Sequence, residues 1–68
     1  MSKIQSVLFD NRKWSIPKAE QWLKENNFKN IKIDVTPRYY RFRQFNPKDF
    51  KKFRTETTTK GISFIIGF

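Results

Sequence analysis

The sequence predicts an α+β domain, a small sheet with one helix packed on one face, and three patterns predict it. Ile16 to Asn26 has the apolar spacing of an amphipathic helix, the segments on either side alternate with a period of two, and Pro, Asn, Asp or Gly stands at each joint. The expected element order is β-α-β-β-β, giving a three- or four-stranded sheet and a single domain over residues 1–68.

The first strand runs from Lys3 to Phe9, with Ile4, Ser6 and Leu8 on one side and Gln5, Val7 and Phe9 on the other. Asp10, Asn11 and Arg12 form a turn, followed by Trp14. Ser15 is suited to cap a helix, because its hydroxyl accepts from an orphan backbone N–H, and Pro17 falls in the first turn, where a missing donor costs nothing. Ile16, Ala19, Trp22 and Leu23 form the apolar stripe, and Glu20 and Lys24 are spaced for a surface pair. The helix should end near Asn26, with Asn27 left-handed and Phe28 folded back on the last turn.

A strand follows in two pieces, Ile31 to Val35 and Tyr39 to Phe45, with a bulge or sheet edge expected at Pro37. Asn46 to Asp49 reads as a turn or one-turn helix. Phe53 to Thr58 and Ile62 to Phe68 form a hairpin joined by Thr59, Lys60 and Gly61, with Gly61 supplying a positive φ. On the last strand Ile62, Phe64, Ile66 and Phe68 share one side, and Ile65 lies on the other. Tyr40 and Phe42 similarly oppose Tyr39, Arg41, Arg43 and Phe45. One set packs on the helix through Trp22 and Leu23. The other is left to solvent or a partner.

Composition narrows the function. The chain has 68 residues, 15 basic and 6 acidic, for a net charge of +9. It has no cysteine and no histidine, so disulfides, thiolate metal sites and histidine-based acid–base chemistry are excluded. No apolar run is long enough to cross a bilayer, and the alternating stretch after Lys3 is unlike a signal peptide. Eight Phe, two Tyr and two Trp distinguish the chain from a disordered basic tail.

The charge is concentrated in the second half. Over residues 38–54, Arg38, Arg41, Arg43, Lys48, Lys51, Lys52 and Arg54 are offset by Asp49 alone, and their closeness in sequence predicts that they cluster in space. Burying Arg41 and Arg43 unpaired would be costly, and Glu20, Glu25 and Glu56 are the candidate partners.

The stretches SIPKAEQWLKENNF, DVTPRYYRFRQFNPKDF and FRTETTTKGISFIIGF together resemble a small domain of bacteriophage and giant-virus proteins. That domain often ends phage head-morphogenesis and prohead-protease polypeptides. The resemblance runs from about Val7 to Gly67 and rests on Ala19, Trp22, Leu23, Lys24 and Phe28, on Tyr39 to Phe45, and on Phe53 to Thr55 with Gly61, Ile62 and Ile65 to Gly67. Asn27 stands where the family commonly has Gly, and Asn also adopts the left-handed conformation. The resemblance implies a standalone viral copy of a module usually attached to a larger protein, residing in the virion or in the cytoplasm or nucleus of an infected cell. It implies no activity.

The expected function is sequence-independent nucleic-acid binding, to single-stranded DNA or RNA in preference to duplex. Arg38, Arg41, Arg43, Lys48, Lys51, Lys52 and Arg54 would neutralise phosphates, and Tyr39, with Tyr40 or Phe45, would stack on bases. The alternative is a viral structural or interaction module, a virion or scaffold component that docks on a larger protein or forms a homodimer through an exposed C-terminal strand, ISFIIGF, whose apolar edge would otherwise aggregate. An enzyme is not expected. Tyr39 or Tyr40 beside arginines has the makings of a nucleophile attacking a phosphodiester, but the six carboxylates form no close pair and no catalytic residue is assigned. No metal, cofactor or small-molecule substrate is expected. The mixed charges on the polar side of the helix argue against a membrane surface.

Overall fold

The computed structural model describes residues 2–68. Strand β1 (Lys3–Asp10) turns into helix α1 (Ile16–Glu25). Strands β2 (Ile33–Val35) and β3 (Tyr39–Arg43) form one hairpin, and β4 (Phe53–Thr57) and β5 (Ile62–Gly67) form a second. A single 3₁₀ turn, Pro47–Asp49, lies between the hairpins, with the Asn46 side chain accepting from the Lys48 N–H. All pairings are antiparallel, in the order β2-β3-β1-β5-β4. The α+β class, the single helix and its one covered face are as the sequence predicts.

The sheet has five strands rather than three or four. Pro37 does not bulge one long strand; with Arg38 it forms the tip of a tight hairpin. Thr36 N–H donates to the Tyr39 carbonyl at 2.9 Å, and Thr36 Oγ1 accepts from Tyr39 N–H at 2.9 Å. Proline has no donor to lose at such a tip.

Local sequence explains both ends of α1. Ser15 Oγ accepts from Lys18 N–H, and Pro17 lies in the first turn. At the other end Asn27 has φ +62°, Phe28 N–H reaches the Leu23 carbonyl at 2.8 Å, and Asn27 N–H reaches that of Lys24 at 3.3 Å. These are the two bonds of a Schellman cap. Asn27→Ala should therefore lower stability by about 1 kcal/mol, because a Cβ without a polar head disfavours this conformation, whereas Asn27→Gly should cost nothing in urea denaturation. Glu20 pairs not with Lys24 but with Asn30, whose Nδ2 donates to it at 2.9 Å.

The core is the layer between α1 and the sheet. Ala19 and Leu23 from the helix meet Val7, Phe9, Phe42 and Ile62 from β1, β3 and β5. Register places these strand residues on one face, since Val7 is opposite both Phe42 and Phe64, and Phe9 is opposite Tyr40 and Ile62. Phe9 meets the rings of Trp14, Trp22 and Phe42 edge-on at 5.1, 5.6 and 5.6 Å. Trp22 stacks on Phe28 at 5.6 Å and shields the end of this layer.

Two features of the sheet bear on function. Register slips between Ile4 and Ser6, so Gln5 is an extra residue in β1. Moreover, β5 lies between β1 and β4, so the free C-terminal edge expected at Ile62–Phe68 does not exist; the edges belong to β2 and β4. A homodimer cannot form by pairing along β5. Among the described residues, no helix is long and apolar enough to cross a membrane.

Candidate nucleic-acid interface

The face of the sheet away from α1 carries no helix. Leu8 is opposite Arg41 and Ser63, Ser6 is opposite Arg43 and Ile65, and Asp10 is opposite Tyr39. Tyr39, Arg41 and Arg43 therefore lie on this open face, as their alternation predicts, and each is partly exposed. Tyr40 does not join them. It points to the helix side and packs against the core, so it is no stacking platform.

The bulge at Gln5 determines how Arg41 is held. Arg41 Nε donates to Ser6 Oγ at 3.2 Å, and its Nη2 donates to Gln5 Oε1 at 3.3 Å. Ser6 Oγ donates in turn to Gln5 Oε1 at 2.7 Å, and Gln5 Nε2 donates to the Phe45 carbonyl at 2.8 Å. Both Gln5 and Ser6 are fully buried. Arg41 is thus fixed against the sheet by neutral groups, and its charge is not cancelled. The partners are not Glu20, Glu25 or Glu56.

Arg43 has Asp34 as its ion pair, also in place of those glutamates, with Nη2 3.7 Å from Oδ2. At that distance, and with both side chains part-exposed, the pair adds little. Arg43 Nε is buried without a hydrogen-bond partner among the described residues.

The basic residues do not form one cluster. Strands β3 and β4 are neighbours in sequence but are separated in the sheet by β1 and β5, a span of about 14 Å at the usual strand spacing. The intervening chain runs along the end of the sheet and places the lysines there. Lys48 lies on the 3₁₀ turn, while Lys51 and Lys52 follow where the backbone pairs with Phe68, Lys51 N–H reaching the Phe68 carbonyl at 2.8 Å. All three are exposed.

Arg54 is opposite Ile66, which puts it on the helix side of the sheet, away from Arg41 and Arg43. It pairs with Glu56 at 3.0 Å, and its guanidinium lies 5.8 Å from the centre of the Phe68 ring. Arg38 is at the far end of the sheet, on the β2–β3 tip, where its carbonyl accepts from Asn11 N–H. Nearby, Asp10 is held below the ordinary carboxylate pKa, first by side-chain hydrogen bonds from Arg12 and then by the Arg12 backbone N–H.

Two cations missing from the sequence-based set join the lysine end. Lys3 Nζ is 4.9 Å and Lys29 Nζ 5.2 Å from the centre of the Phe45 ring. Phe45 also meets Phe50 edge-on at 6.3 Å, and Lys3, Phe45, Asp49, Phe50 and Phe68 line a shallow cleft. No local signal in the sequence marks Lys3 or Lys29, because each reaches this end through long-range packing. Arg41 and Arg43 thus lie on the open face, Lys3, Lys29, Lys48, Lys51 and Lys52 belong to the end of the sheet around Phe45 and Phe68, and Tyr39 lies on the open face towards the opposite end, opposite Asp10. Compared with protein-family models, curated proteins and solved structures, the chain matches none of them.

Proposed function

We propose that this protein binds nucleic acid without sequence specificity, on the open face of the sheet and along its adjoining lysine end. The observation that carries this reading is Arg41, an arginine held flat on an uncovered sheet by Ser6 and Gln5, with its charge left for an outside anion. Arg43, Lys48, Lys51 and Lys52 extend the same path and neutralise successive phosphates by counterion release. Tyr39, half-exposed on the same face two residues before Arg41, supplies a stacking surface that favours unpaired bases. The role is binding, with Tyr39 a platform and not a nucleophile. The setting, a virion or an infected cell, rests on the sequence resemblance.

Fluorescence anisotropy with labelled single- and double-stranded DNA tests the reading. Binding should be micromolar or tighter at low salt, prefer the single strand, and weaken about 100-fold when salt rises fourfold, as expected if about five phosphates are neutralised. Lys52→Ala should flatten the salt slope, whereas Arg54→Ala, on the other face, should leave it nearly unchanged. Equal affinity for both DNA forms would remove Tyr39 from the mechanism. Absence of binding at low salt would sink the reading altogether.

A further inference from the structure

The outer edge of β2 is apolar, exposed and without a neighbour. Ile31, Ile33 and Val35 are 82%, 39% and 66% exposed, and they alternate with Lys32 and Asp34. Register sets Ile33 opposite Phe42 and Val35 opposite Tyr40, so both side chains lie on the helix side of the sheet, beyond the cover of α1. Such a strip on an unpaired strand is a liability that sequences usually blunt with charge on the edge. This one does not blunt it on that face.

The backbone of β2 is also free to pair. The Lys32 carbonyl accepts from Arg43 N–H at 3.2 Å, and Thr36 N–H donates to the Tyr39 carbonyl. By the alternation of an antiparallel ladder, the N–H and C=O of Ile33 and Val35 then point away from β3, towards solvent.

We infer that β2 pairs with β2 of a second copy of this chain, antiparallel about a two-fold axis at Ile33. Three registers compete, and charge separates them. An axis at Asp34 sets Asp34 against itself, and an axis at Lys32 sets Lys32 against itself. The axis at Ile33 sets Lys32 opposite Asp34 of the second copy, twice over, as close cross-strand pairs of opposite sign. The same axis sets Ile33 against Ile33 as a hydrogen-bonded pair and Ile31 against Val35, closing the apolar strip upon itself. Backbone direction, apolar side chains and charges all agree on this one register. An antiparallel two-fold keeps both helices on one side of the joined sheet, so the two Arg41–Arg43 faces lie side by side on the other.

The absence of cysteine makes the register directly testable. An Ile33→Cys chain should form an intermolecular disulfide on mild oxidation, because facing residues of a hydrogen-bonded pair have Cα atoms about 5.5 Å apart. A Lys32→Cys chain should not, because its copies would stand about 8 Å apart, beyond bridging distance. Sedimentation equilibrium of the unaltered chain at moderate salt should show a monomer–dimer equilibrium, and Val35→Lys should weaken it about tenfold or more. Val35 is exposed, so this change leaves the monomer folded, as near-UV circular dichroism would verify. A strictly monomeric chain at millimolar concentration, or equal cross-linking at positions 32 and 33, would overturn the inference. Cross-linking and sedimentation are read without DNA, so their outcome is separate from that of the binding titration.

Discussion

Phe9→Ala is expected to leave the chain largely unfolded at room temperature. The Phe9 side chain is fully buried near the C-terminal end of β1 and meets three aromatic rings, Trp14, Trp22 and Phe42. Removing such a ring typically costs about 3–5 kcal/mol, the lost transfer energy plus the cavity left behind. A chain of 68 residues has a total stability of roughly 3–10 kcal/mol, so one substitution removes much of the whole. The near-UV circular dichroism of Trp14 and Trp22 should collapse and the urea midpoint should fall towards zero. A loss smaller than about 1.5 kcal/mol would mean that the two tryptophans close the hole. Phe53→Ala, at an exposed position on β4, should cost far less.

The second large effect is expected at Gly67. An added Cβ there would fall 2.4, 2.6 and 2.7 Å from three atoms of the Phe50 ring, closer than nonbonded carbons approach. Phe50 lies over β5 at this point and braces Phe45 and Phe53 edge-on at 6.3 and 6.1 Å. Gly67→Ala must therefore displace the ring and, with it, the segment carrying Lys48, Lys51 and Lys52. The expected cost is about 2 kcal/mol of stability, together with weaker DNA binding. In a double-mutant cycle Phe50→Ala should relieve part of that cost, because the clash disappears with the ring. Strictly additive costs would show that Phe50 is not the obstacle.

Features set by neighbouring residues were legible in the sequence. Ser15, Asn27 with Phe28, and Gly61 at φ +78° mark their elements through local hydrogen bonds and backbone preference. The alternation of Tyr39, Arg41 and Arg43 against Tyr40 and Phe42 likewise fixes which side chains share a face, because strand period does not depend on the partner. Strand order does depend on the partner. Placing β1 and β5 between β3 and β4 divides the basic run 38–54 among the open face, the lysine end and the opposite face, and it also encloses the ISFIIGF strand. The partners of Arg41 were hidden for a further reason. A bulge at Gln5 breaks the strict alternation of β1 and turns a glutamine and a serine into the arginine's seat.

The position of β1 has a kinetic consequence. The first strand to be synthesised is the central one, and its neighbours arrive late. The bond from Gln5 to Phe45 spans 40 residues, and that from Trp14 to Lys60 spans 46. No subset of the chain completes the sheet, and one edge of β1 stays unpaired until β5 has been synthesised. A topology with such distant contacts folds slowly for its size, in milliseconds to seconds, and as a single cooperative unit. Amide protons of Val7 and Phe9 should then exchange only through global opening, reporting the stability of the entire molecule from its amino-terminal strand.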